Sequence, residues 1–150
     1  MYILFFIIST QTLTTVFALL CSDDQDMKGA PIGVSRDIRG GKWVETFNSG
    51  VFLIHPSIAE YSRLMELRAD ETLVFEDIMA DQGFLNKVYE NVWHEIGFGF
   101  NANMAVRSKQ QNYWKEHEDE VRIIHYTMQK PWDCNKPIYD DICVLWRSAP

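Results

Sequence analysis

The chain lacks most of the features that assign a function class at sight. It has three cysteines in 150 residues, Cys21, Cys134 and Cys143. That is too few for a disulfide scaffold, and no Cys-x-x-Cys or Cys/His spacing suits a structural zinc. The cysteines are expected as plain thiols, although Cys134 and Cys143 would pair in an oxidising compartment. No Lys/Arg-rich block occurs and the net charge is −7, which argues against a nucleic-acid partner. There is no Asn-x-Ser/Thr sequon, no internal repeat and no low-complexity tract. What the chain does have is apolar material, 47% hydrophobic and 13% aromatic, enough for a real core and too much for disorder.

The first twenty residues, MYILFFIISTQTLTTVFALL, carry no charge. The purely apolar part, Tyr2 to Ile8, is short, polar Ser and Thr residues follow it, and no Lys or Arg precedes it. Residues 1–29 therefore read as buried strands followed by an acidic loop, with a signal peptide or membrane anchor as the open alternative.

Residues 22 to 43 are polar and glycine-rich and read as a loop. An Asn48-Ser49-Gly50 turn then leads into an apolar strand, Val51 to His55, which Pro56 stops. Ser57 opens a helix with Glu60 three residues on, a capping box. Tyr61, Leu64, Met65 and Arg68 fall on one face of that helix, about a dozen residues long. A second helix starts near Asp81, with Phe84, Leu85, Val88 and Tyr89 as its stripe. HEIGFGFNANMAV reads as strand and loop, and QQNYWKEHEDE as charged surface. A strand from Val121 to Ile124 delivers His125, and residues 133–150 read as a polar tail. Alternating strands and helices predict an α/β layer fold with a mixed sheet and flanking helices. In such sheets ligands sit at the carboxyl ends of strands, which makes the Asn48-Ser49 turn and His125 candidate site positions. A histidine followed closely by Lys130 suits a site for a metal and a phosphate.

FNSGVFLIHPS, DQGFLN and HYTMQKPW occur in this order. Together they resemble the second half of glycosyltransferase family 8, the glycogenin-like group, and are similar to plant glucuronosyltransferases of xylan. The likeness covers residues 30–132, read as a partial domain of that family. It implies a GT-A nucleotide-diphospho-sugar transferase fold. It also implies retaining, manganese-dependent transfer from a UDP-sugar to a carbohydrate or protein acceptor. On this resemblance His125 is a manganese ligand and Lys130 neutralises the donor diphosphate. Asn48, Ser49 and Gly50 lie beside the donor sugar. Asp81 and Gln82 stand at the sugar's reactive face, and Phe100-Asn101 lies near the site. Apart from the resemblance, Trp132 is a candidate substrate-binding residue, since aromatics often border sugar sites, with packing as its bland role. The residue types suit the chemistry. A diphosphate leaving group needs a cation opposite it, and an oxocarbenium-like carbon needs an acidic or amide group.

The chain also departs from that pattern. The family's Asp-x-Asp motif and most of its nucleotide-binding half are missing upstream of Phe47. Asp24-Gln25-Asp26 reads as solvated loop charge. Ala80 stands where glycine often precedes DQG, and Met128 where a glycine often admits the phosphate. Bland roles also stay open. Asp81 would serve as a helix N-cap, Asn48-Ser49-Gly50 as a plain turn, and His125 as a structural histidine. The leading expectation is a fragment or degenerate transferase, weak or inactive alone. The alternative is a non-catalytic remnant that binds or oligomerises, with a homodimer and a membrane both open. The compartment, cytoplasmic or Golgi-lumenal, stays open too.

Overall fold

The computed structural model of the protein describes residues 29–55 and 57–148. The apolar start, Cys21, the Asp24-Gln25-Asp26 run and Pro56 lie outside the described residues.

Ile32, Val34 and Ile38 alternate with Gly33, Ser35 and Asp37, the period of a strand. They form β1, Ile32–Arg39. Gly40 and Gly41 follow with φ of 57° and 81°, both in the left-handed region that a tight type I′ hairpin requires. β2, Lys42–Ile54, runs back antiparallel. The expected loop over residues 22 to 43 is therefore a hairpin from residue 32 onward. Glycines and charges interleaved with the apolar positions hid the alternation.

The expected Asn48-Ser49-Gly50 turn is also corrected, because these residues sit inside β2. Val34 pairs with Phe52, yet the next residue, Ser35, pairs with Asn48. Ser49, Gly50 and Val51 are thus the extra residues of a bulge, a device that re-aims side chains. A second shift follows, since Arg36 pairs with Phe47 and Ile38 with Trp43, and Asp37 lies at it. β3, Trp93–Glu95, joins β1 in parallel, giving the order β2-β1-β3. The sheet is mixed, as expected.

Helix α1, Ile58–Ala69, begins where Ser57 accepts a hydrogen bond from the Glu60 N–H at 3.2 Å. Its predicted apolar face is only marginally used. No residue of α1 is buried, and of that stripe Leu64 packs on the core while Tyr61 and Met65 face solvent. Helix α2, Asp81–Val88, lays Leu85 and Val88 on the sheet and is followed by fully buried Tyr89. Gly83 permits this seating: a Cβ there would lie 1.9 Å from the Glu76 carbonyl oxygen.

Two helices were read as strand, loop or surface. α3 is Met104–Lys109 and α4 is Gln111–His117. Asn103 caps α3 by accepting from the Ala105 N–H, and Met104, Val106 and Trp114 are buried. Both helices are too short to show a full apolar period. β4, Ala102–Asn103, and β5, Ile124–His125, form a separate parallel pair that brings Asn103 beside His125. The predicted strand 121–124 is thus shorter, starting three residues later and ending one residue later.

The polar tail is corrected as well. α5, Asp140–Arg147, buries Ile142 and Cys143. Cys143 is bonded to Cys134, with Cα atoms 6.2 Å apart, within the usual disulfide range. The expectation of plain thiols fails for this pair. One core gathers Ile38, Phe98, Met104, Trp114, Ile124 and Ile142, and the other Ile32, Val34, Phe47 and Tyr89. β1 contributes to both and holds the two halves together. Among the described residues no helix is long and apolar enough to cross a membrane.

Candidate functional site

The bulge in β2, the first turn of α2, the residues before β4 and the end of β5 meet in one polar corner. At its centre lies Asp37, 4% exposed. Its carboxylate accepts from Asn48 Nδ2 at 3.2 Å and from Gln82 Nε2 at 2.9 Å. Arg39 Nε stands 3.6 Å from Asp37 Oδ2, an ion pair rather than a hydrogen bond, and the same guanidinium donates to Glu76 at 2.8 Å.

The other ends of these amides are fixed by the backbone. Gln82 Oε1 accepts from the Ser49 N–H at 3.2 Å, and Asn48 Oδ1 from the Gly50 N–H at 3.0 Å. Asn86 brackets Phe47, accepting from its N–H and donating to its carbonyl, both at 2.8 Å. The pairing pins α2 to β2 beside the bulge.

Asp81 is the first residue of α2, and its cap, Ala80, makes no side-chain cap bond. The N-cap reading of Asp81 is thereby corrected. Its carboxylate instead accepts from Ser49 Oγ at 2.9 Å. Ala80 has φ 52° and ψ −127°, a conformation that favours glycine. This is the physical reason a glycine would be preferred before DQG.

His125 closes the corner. Its Nδ1 lies 3.0 Å from Asn101 Oδ1, and Asn101 Nδ2 reaches both Asn48 Oδ1 (3.0 Å) and Asn48 O (3.3 Å). Gly50 makes room for the ring. A Cβ on Gly50 would fall 1.8 Å from His125 Cε1 and 2.1 Å from Nδ1. Burial, with the Lys130 charge adding to it and Asp37 opposing, lowers the imidazole pKa from 6.5 to about 4. The ring is therefore neutral at pH 7, a state with a free lone pair.

The structure brings together Asp81, Gln82, Asn48, Ser49, Gly50 and His125 from the sequence reading. Lys130 stands at the rim, exposed, its Nζ donating to the Tyr126 carbonyl at 2.9 Å. Trp132 is not drawn in. It is 57% exposed and edges onto Trp146 with ring centroids 6.4 Å apart. Met128 is half-exposed, so its side chain does not plug the corner. Asp37 was missed by the sequence reading, since it looked like one more loop acid. The only signal was its position in the alternation Ile32–Val34–Ile38, two residues before Gly40-Gly41. Among the described residues no group of three His, Cys, Asp or Glu donors converges to hold a metal ion. The donor set offers one imidazole and does not by itself fit a divalent cation.

Comparison with known proteins places this corner in context. The sequence model of glycosyl transferase family 8 matches residues 34–136. Glycosyltransferase GlyA of Streptococcus pneumoniae is 28% identical over 131 residues, covering 84% of this chain and 18% of the relative. Glycogenin of Komagataella phaffii is 26% identical, covering 60% of this chain and 25% of its own. Galactinol synthase 2 of Arabidopsis thaliana is 28% identical, with coverage of 57% and 25%. The chain thus spans a quarter or less of the length of these curated relatives. The crystal structure of the apo form of glycosyltransferase GlyE from S. pneumoniae superposes with a TM-score of 0.57 at 19% identity, over 90% of this chain and 34% of that one. The likeness is one of fold, consistent with the expected GT-A type.

Proposed function

Because the chain belongs to glycosyltransferase family 8, we propose that its polar corner is the donor side of a site that moves a sugar from a UDP-sugar to an acceptor with retention. The observation that carries this reading is the closed set of bonds linking Asp81, Ser49, Gln82, Asp37, Asn48, Asn101 and His125. Such a prebuilt set of polar groups binds a polyhydroxyl ring without reorganising. The Asn48 bulge faces the donor sugar, and buried Asp37 holds it in place. Gln82 is committed at both ends of its amide, which leaves the Asp81 carboxylate as the charged group at the reactive face. Lys130 at the rim supplies the positive charge for the diphosphate leaving group. Its ammonium swings from the Tyr126 carbonyl to do so.

Manganese enters this proposal only through His125, whose neutral ring is a competent ligand. Its other ligands would come from outside the described residues, and no step of transfer is assigned to it. The chain spans a quarter or less of the length of those relatives, and its expected activity alone is weak or nil. The test is a radiolabelled UDP-sugar assay on the purified chain. Robust turnover abolished by His125→Ala would contradict that expectation.

Among the described residues no three metal donors converge, which favours one other reading, a binding or oligomerisation domain without catalysis. Calorimetric titration with UDP separates the two. Measurable UDP binding, weakened by Lys130→Ala, supports the donor-site reading. Absence of binding together with a stable dimer in sedimentation supports the other.

A further inference from the structure

We propose that Asn101 is a positioning residue: it holds His125 with the ring hydrogen on Nδ1, so that Nε2 presents the lone pair, and it ties that ring to the Asn48 bulge. The role given to Nε2 rests on the donor-site reading, while the ring geometry does not.

The orientation of the Asn101 amide follows from its neighbours. The Asn48 backbone carbonyl is an obligate acceptor, and it lies 3.3 Å from one terminal atom of Asn101. That atom is therefore the NH2 group. Asn48 Oδ1 lies 3.0 Å from the same atom, and it too is fixed as an oxygen, because it accepts from the Gly50 backbone N–H. Two independent backbone groups thus set the same direction. The oxygen of Asn101 must then face His125 Nδ1, 3.0 Å away. Two lone pairs do not share a hydrogen bond, so Nδ1 carries the hydrogen. A neutral imidazole with its hydrogen on Nδ1 has its lone pair on Nε2.

Packing reinforces the assignment. The Nδ1–Cε1–Nε2 edge of the ring rests against the Cα of Gly50, closer than any side chain would allow. The ring is thereby held at one edge by the bulge and at Nδ1 by an amide that grips the same bulge. Asn101 is itself 3% exposed, so water does not compete for its bonds. A partner that donates or accepts at the far nitrogen of a histidine fixes its tautomer in this way.

The experiment is long-range nitrogen–proton NMR of the imidazoles in the purified chain at neutral pH, with no ligand. His125 is expected as the Nδ1–H tautomer, opposite to the form a free histidine side chain prefers. Asn101→Leu removes the acceptor and is expected to return the ring to Nε2–H. Wild-type His125 with its hydrogen on Nε2 overturns the proposal, and needs no variant to fold. A folded Asn101→Leu that keeps Nδ1–H also overturns it. Lack of UDP binding beside an Nδ1–H signature counts against the donor-site reading alone.

Discussion

In the corner, Asp37, Asn48, Ser49, Gln82 and Asn101 are all buried below a tenth of their surface, and their polar groups find partners inside the protein. Along α1 and the segment after it the arrangement is reversed. Ile58, Tyr61 and Met65, on a helix that buries nothing, and Val74 and Ile78, after it, stand between 51% and 86% exposed. A buried polar set is costly unless every member is satisfied, and then it specifies one arrangement. An exposed apolar face specifies little, because each residue loses almost nothing by moving. The contrast separates the part of the chain that is built to hold a geometry from the part that merely covers one.

Substitutions sharpen this contrast in order of size. Asp37→Ala leaves the Asn48 and Gln82 amides and Arg39 without their shared acceptor. It is expected to cost about 3 kcal/mol in urea unfolding. Gly50→Ala is expected to cost about 1–3 kcal/mol by overpacking against the imidazole, and to shift the His125 ring resonances. A Gly50→Ala chain with unmoved His125 signals would break the account of why glycine is there.

The two regions also separate in pH. His125 has its pKa lowered to about 4 from 6.5 by burial and Lys130. The unfolded chain therefore takes up a proton between those values that the folded chain refuses, and stability falls as pH drops from about 6.5 to 4. Glu60, on α1, is lowered to about 2 from 4.5 by Arg63 and by the Tyr89 hydroxyl at 2.6 Å. Its contribution is complete above its ordinary pKa and is lost only as pH falls from there towards 2. The corner should thus weaken before the helix contact. His125→Gln is expected to flatten the upper window and Tyr89→Phe part of the lower one.

Smaller effects complete the series. Ala80→Gly relieves a backbone at φ 52° and is expected to stabilise by about 1 kcal/mol in thermal unfolding. Ile78→Ser on the exposed face is expected to stay within about 0.5 kcal/mol of wild type. A larger loss there would mean that the exposed face carries structure after all.

How much of this was legible in the sequence follows the same division. FNSG, DQG and the histidine of His-x4-Lys were readable as short motifs, and the structure brings them together in the corner with Lys130 at its rim. The Ser57 cap and the start of α2 at Asp81 were also readable, since both are local. The β1–β2 hairpin was not, because Arg36 interrupts the apolar face formed by Ile32, Val34 and Ile38, and Gly33, Ser35 and Asp37 between them made the segment look like a loop. Asp37 is buried by pairings with residues 48 and 82, which no local pattern records. The tail was misjudged because α5 shows only two buried residues, and its place is set by Cys134 and by the Tyr126 hydroxyl on the Ile142 carbonyl.

The central claim is that the corner is one prebuilt face of a nucleotide-sugar site. It is tested most directly by titrating the chain with UDP and following backbone amide resonances. The account predicts shifts confined to residues 48–50, Gln82, His125 and Lys130, with α1 silent, and about a 10-fold weaker response in Lys130→Ala. Shifts on α1 with the corner unmoved, or a response that Lys130→Ala leaves intact, would contradict it.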